Sequence, residues 1–366
     1  MNLRLALTAA AMLGALGGCA RAPPPAARVQ TAVEVGTLGQ STLIVGRDVG
    51  YSAQVWGHGV WAFGDTFLAV PNASGTNFVS NTFDVSDGSS LDGGLVLQDR
   101  LDDAGAPEEL LTPTPEEAAY DLAHRAGPDG GCAQAPCGGR WATWPGPTLF
   151  DADSGTALTF YSLVTAAPGD FNFSAVGESL AVWRDFAGRP ARPEPTLCAP
   201  SPTLLFCQAE PAYGSAATLS QGEVYAFAKP GQLARAPFDQ ALNKGAWEYW
   251  DGSAWTTQGS SVASLFGGAS IMGLFFNPYV NAWMLIYAVP LSNQVVLRTA
   301  PALTGPWSGE GNLFVADRKG TGGNTYDALP HPEWAEDNGR IQYVTFSRSN
   351  GTVFGSEFAV VRVTFQ

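Results

Sequence analysis

The chain is expected to be all-β, a five-bladed β-propeller preceded by a lipoprotein signal peptide and a short Pro-rich tether. Three observations carry that expectation. Charged residues make up only 14% of the chain and aromatics 11%, while 43 glycines and 26 prolines supply turn formers throughout; this composition favours many short strands over helices. Strand signals fall into five groups spaced about 50 to 80 residues apart. Each group offers three or four short strands, too few to bury both faces alone, and stacking such sheets radially resolves that deficit. A β-sandwich or a two-domain all-β arrangement is the alternative.

The first residues stand outside this pattern. Arg4 supplies positive charge, residues 5–16 are apolar, and Leu16-Gly17-Gly18-Cys19 follows. The apolar run is too short to span a bilayer and ends in small residues, as an export signal does. Its ending resembles bacterial lipoprotein signals, which implies cleavage after residue 18 and acylation of Cys19. Residues 19–36 are then read as the acylated cysteine and a Pro/Ala-rich tether, with Pro23-Pro24-Pro25 stiffening it, and residues 37–366 as the propeller. The expected location is the bacterial cell envelope, lipid-anchored at the outer membrane or cell surface.

The five groups follow in order. Residues 56–67 read as strand, Gly57-His58-Gly59 turn and strand. Residues 147–163 turn through 151–155 and lead to the strand 179–183. Residues 222–228 and 247–255 flank Lys229-Pro230-Gly231. Residues 271–288 turn at 278–281 and continue into 294–300. Residues 328–347 turn at 336–339 and end with the strand 357–365. Between the first two groups, residues 99–140 read as a loop-like insertion with one short helix over 115–126, and residues 198–216 as a second insertion. The local pairing Cys132–Cys137 and Cys198–Cys207 is expected because both loops are short and exported chains oxidise. Neither spacing suits zinc, and three histidines leave few ligands. No metal or cofactor is expected.

A net charge of −14 without a basic stripe excludes nucleic acid as a partner. It leaves neutral glycans, cations or protein surfaces, with the membrane reached through the lipid anchor and the protein expected to be a monomer. The lack of a G-x-S-x-G elbow, a P-loop and a dinucleotide fingerprint weakens covalent-hydrolase and nucleotide readings.

Carboxylates that end aromatic strands are poor core material, since an unpaired buried charge costs several kcal/mol. Asp65 ends such a strand, between Gly64 and Thr66. With a turn near His58 it lies opposite Tyr51, and Asp48 falls three residues further along the same hairpin end, roughly 10 Å away or closer. Asp48 and Asp65 are therefore the leading catalytic carboxylates, because glycosidic cleavage asks for two flanking the bond. Glu178 opens an apolar strand and is the third candidate; Glu223 opens another. Asp84 and Asp87 either line the channel or belong to an ordinary D-x-x-D-G loop; Asp151 and Asp153 resemble part of a calcium loop, though a polar hairpin turn explains them with less. Asn81, Trp144, Asn277, Tyr326 and His331 are the candidate substrate-binding residues, His331 being pinned between Pro330 and Pro332. Trp141, Trp144 and Phe173 either stack on sugar faces or plug gaps between blades.

Several phrases occur together in order: W-A-F-G-D-T-F at 61–67, Ser80-Asn81-Thr82, Trp144-Pro145-Gly146, Asn277-Pro278 through Trp283 and Tyr287, L-R-T-A-P-A-L-T-G-P-W at 297–307, and His331-Pro332. In these the chain, from about Gly39 to its end, resembles the family catalogued as domain of unknown function 4185, linked to glycoside hydrolase family 183. The resemblance implies a five-bladed propeller and an endo-D-arabinanase-like activity, with the acidic G-x-D and F-G-D-T positions mapping to Asp48 and Asp65. The chain departs from the pattern in its cysteine-bearing insertions and in W-P-G-P, where a P-T-G-like phrase is expected. The functional expectation is an extracytoplasmic glycoside hydrolase acting on a furanose-containing, arabinan-like cell-wall polysaccharide. The alternative is a non-catalytic surface glycan-binding or protein-scaffold lipoprotein.

Overall fold

The computed structural model describes residues 27–366 apart from 89, 128, 170 and 171. The signal-peptide and lipidation readings, Cys19 included, lie outside the described residues. Five sheets of four or five strands, antiparallel but for the pairing of Leu95–Val96 at the edge of the last, are arranged as blades, as the sequence predicts. Their innermost strands are Ile44–Val55, Arg140–Asp151, Ala216–Ser220, Gly273–Asn277 and Leu329–Pro330.

We label three strands and one helix: β1 (Val29–Gly39), β2 (Ile44–Val55), β3 (His58–Leu68) and α1 (Pro115–His124). β1 does not begin the first blade. It pairs antiparallel with Ser356–Phe365 and so completes the last blade, while β2 and β3 open the first. Residues 29–36, which the sequence placed in the tether, are therefore strand. Val29, Ala32, Val361, Val363 and Phe365 pack together on this pairing, and that apolar contact draws the segment into the fold.

Burial explains why five blades hold together. Apolar side chains gather into five principal clusters, each shared by two neighbouring blades. Trp61 and Phe63 of the first blade meet Tyr343, Phe358 and Val360 of the last. Both faces of each sheet are thereby covered, at about 25 cal/mol per Å² of apolar surface removed from water.

The two insertions are as expected in position and in their disulfides, Cys132–Cys137 and Cys198–Cys207. Thr114 caps α1, its hydroxyl accepting from Glu117 N while the Glu117 carboxylate accepts from Thr114 N, a reciprocal pair that satisfies two otherwise orphan donors. Arg192 grips the same Glu117 at 2.6 and 2.8 Å and fastens the insertion to the second blade.

Candidate active site

The first hairpin sets the geometry. Its turn is Trp56-Gly57, one residue earlier than the sequence suggests, with positive φ at both positions (48° and 82°) and Val55 paired with His58. Positive φ at both central residues matches the twist of a two-residue hairpin. The register consequently differs: Tyr51 pairs with Ala62, not Asp65. Arg47 pairs with Thr66 and Val49 with Phe63, which leaves Asp48 facing Gly64 and Asp65 across a bulge. The two acids are closer neighbours than the expected register made them.

Gly64 is part of this arrangement. A Cβ there would run into Asp48 Oδ1, so only glycine lets the carboxylate lie over β3.

The two carboxylates have unlike surroundings. Asp48 accepts a short hydrogen bond from the Tyr326 hydroxyl, which reaches across from the connection between the fourth and last blades. Its other oxygen is buried without a partner among the described residues. Burial first, and the negative charges of Asp65 and Asp327 after it, push Asp48 up to about 7, against a smaller downward pull from Tyr326. Asp65 is raised by burial too, but Arg140 and Trp144 pull it back. Arg140 Nη2 donates to it at 3.1 Å and Trp144 Nε1 at 2.9 Å.

Neighbouring blades supply these partners. Arg140 and Trp144 lie on the inner strand of the second blade, three and seven residues after Cys137. Asp327, fully buried, accepts from Val49 N and Ser347 N, both at 3.1 Å, and so ties β2 to the last blade. Beneath the acids, Val49, Tyr51, Leu329 and Ile271 form an apolar floor. A channel cavity of about 400 Å³ begins at Tyr51 and draws its lining from all five inner strands, but none of the acid cluster lines it. The cavity and the carboxylates are thus separate features of one axis.

Aromatic surface flanks the acids. Trp144 meets Phe173 edge to face at 5.0 Å, and Phe173 and Tyr326 are about half exposed, at 49% and 48%. Such rings beside carboxylates can stack against the C–H face of a sugar.

The remaining candidates lie elsewhere. Glu178 sits on the third strand of the second blade, buried, pushed up to about 7 by burial and by Glu210, with neither Asp48 nor Asp65 acting on it. Asn81 spends its amide within the fold, donating to the carbonyls of Leu111 and Thr143 and accepting from Leu111 N. Asn277 does the same with Gly339 O and Val280 N. His331 is fully buried between Ser52 Oγ (2.6 Å) and Thr345 Oγ1 (2.7 Å), and burial lowers its pKa to about 3, which leaves it neutral. Asp84 pairs with Arg47 in the interior, Asp87 meets His58 on the surface, and Asp151 closes its hairpin by accepting from Ser154 N. Trp141 packs between the first two blades. Among the described residues, no group of three or more His, Cys, Asp or Glu side chains is placed to hold a metal ion.

Arg140, Asp327 and the role of Gly64 escape the sequence reading. Gly64 alone carried a signal, since it precedes Asp65 in the most distinctive phrase of the chain.

Comparison with known proteins agrees with the fold. The family described as Domain of unknown function (DUF4185) matches residues 177–361. No curated protein matches the chain. A putative hydrolase from Bacteroides ovatus is similar in structure, with a TM-score of 0.54 at 16% identity, covering 89% of this chain and 86% of its own. A protein of unknown function from Dyadobacter fermentans gives 0.52 at 11%, covering 92% and 100%. An exo-β-1,3-galactanase from Phanerochaete chrysosporium, solved with β-1,3-galactotriose, gives 0.50 at 13% over 90% of this chain and 64% of its own. The chain thus spans less than two thirds of the galactanase.

Proposed function

We propose that this chain, which belongs to the DUF4185 family, is a glycoside hydrolase that cleaves a furanose-containing, arabinan-like cell-wall polysaccharide outside the cytoplasm. The observation that carries the proposal is the pair Asp48 and Asp65, facing each other across one hairpin, both raised by burial but only Asp65 pulled back by a cation. Glycoside hydrolysis needs one carboxyl that keeps its proton and one that has lost it.

Asp48 is the general acid. At about 7 it still holds a proton to give to the leaving oxygen, and Tyr326 fixes its orientation. Asp65 is the ionised partner, base or nucleophile, its charge stabilised by Arg140 and Trp144. Trp144, Phe173 and Tyr326 offer rings to the substrate. The likeness to a galactanase propeller and the resemblance of the sequence to endo-D-arabinanases both support a glycan substrate. The two disulfides support export, and with the Leu16-to-Cys19 phrase they support a lipid-anchored protein of the cell envelope.

Product release from a panel of arabinans and other cell-wall glycans tests this, with Asp48→Asn and Asp65→Asn in parallel. Oligosaccharides from the wild type alone are the expected result. A wild type that retains a glycan but releases nothing from any of them reduces the protein to a binding module.

A further inference from the structure

Beyond the acid pair, the turn that joins Ile341–Ser349 to Ser356–Phe365 presents Phe354 to solvent, 64% exposed. Its ring lies parallel on Phe67, 4.3 Å between centroids and 7° between planes. Phe67 meets Phe78 edge to face at 5.0 Å, and the Arg140 guanidinium lies 4.3 Å over Phe78. Since Arg140 also holds Asp65, the rings and the candidate catalytic acid share one continuous surface. Phe67 follows Asp65 by two residues on the same face of β3, about 7 Å along the strand.

Phe354 does not hold this place by default. Its φ of 58° lies in the left-handed region, which disfavours a bulky side chain, and its ring gains little burial in return. The turn is nonetheless fixed in position. Ser356 Oγ donates to Arg47 O at 2.6 Å and accepts from Arg47 N at 2.8 Å, while Gln40 Nε2 donates to Ser356 O at 2.9 Å. A Cβ on Gly46 would overlap the Phe354 carbonyl. The turn is thus fastened to the residues directly before Asp48. Strain retained at a well-anchored, exposed position points to use.

We infer that Phe354, backed by Phe67, is a distal sugar-stacking subsite that holds a further residue of the glycan chain whose linkage lies at Asp48 and Asp65. The inference rests on the glycan reading above and deepens it. A whole aromatic side chain buries only roughly 150–250 Å², and the one free face of Phe354 offers less than that, the scale of one sugar ring and far below the roughly 1,000 Å² of a protein interface. The site thereby favours a chain of several sugar residues over a mono- or disaccharide, because only such a chain reaches both the acids and the ring.

The test measures binding of polymeric arabinan and an arabino-oligosaccharide ladder to the wild type, Phe354→Gly and Phe354→Trp, alongside product release. Glycine suits the left-handed position, so Phe354→Gly keeps or raises the melting temperature. It is expected to weaken binding of the longest chains about tenfold and leave the shortest unchanged, with Phe354→Trp restoring the long-chain affinity. Length-dependent binding that needs Phe354, without product release, sustains the subsite while the hydrolase reading falls. Equal affinity of Phe354→Gly and wild type at every length overturns the subsite, as does a wild type that binds none of these glycans. A change in oligomeric state on Phe354→Gly with glycan affinity intact also overturns it, and assigns the ring to contact with a second copy.

Discussion

Arg140 reaches across the seam between the first two blades to donate to Asp65 at 3.1 Å, while among the described residues the charges that act on Asp48, three positions before Tyr51, are both negative. One cation, placed on one side only, separates two otherwise similar carboxylates. The chemistry we assign to the site follows from that asymmetry.

Upward shifts on different limbs of the pH profile are the first expectation. With Asp48 as the acid, kcat/KM should fall on an alkaline limb near 7. Tyr326→Phe removes a bond that favours the ionised form, so Asp48 keeps its proton to higher pH and the alkaline limb moves up. Arg140→Gln removes a pull that keeps Asp65 ionised, so the acidic limb moves up instead and the optimum narrows. Each substitution should also lower the peak about tenfold or more. A profile in which both variants move the same limb exchanges or abolishes the assignment.

Gly64 offers a second test, independent of any titrating group. Gly64→Ala drives a methyl group into the Asp48 carboxylate without adding or removing charge. An error of about 1 Å at a reacting group costs on the order of 100-fold, and kcat/KM should drop by about that much while the far-ultraviolet circular dichroism stays native. Wild-type kinetics from Gly64→Ala would mean that Asp48 need not hold its present position.

Glu333 provides a stability prediction away from the acids. It lines the channel cavity, accepts a hydrogen bond from Ser52, and burial raises its pKa to about 7 from an ordinary 4.5. The folded state therefore keeps a proton that the unfolded chain releases, and stability falls as pH rises from about 4.5 through 7. Glu333→Gln should flatten that slope, gaining about 1–3 kcal/mol at the alkaline end relative to wild type. Urea midpoints at about pH 5 and pH 8 measure it; parallel curves for the two proteins would show that Glu333 titrates as it does when unfolded.

Much of this was legible in the sequence, for identifiable reasons. Strand periodicity and turn residues gave the five blades, because every blade repeats the same local signals. Short loops gave both disulfides. Asp48 and Asp65 emerged because carboxylates at the ends of aromatic strands have few structural excuses. Their register did not emerge, since a two-residue turn at Trp56-Gly57 requires a left-handed tryptophan that no local pattern announces. Arg140 and Asp327 escaped for a different cause: each matters through a partner far along the chain, 75 residues for Arg140 and Asp65 and 278 for Asp327 and Val49. Asn81, Asn277 and His331 looked like ligand-binding residues because their chemistry suits it; only the folded chain reveals that their hydrogen bonds are spent on the scaffold.

The placement of β1 in the last blade has a consequence for the order of events in the cell. Asp48 and Tyr326 are 278 residues apart in sequence, and the blade that Tyr326 leads into is finished only when Ser356–Phe365 and β1 pair. A chain emerging from the ribosome can form its first blades early, yet it holds Asp48 without its partner until the final strand arrives. The Asp48–Tyr326 pair is thus set only once the whole chain has been made, and the site we propose comes together last.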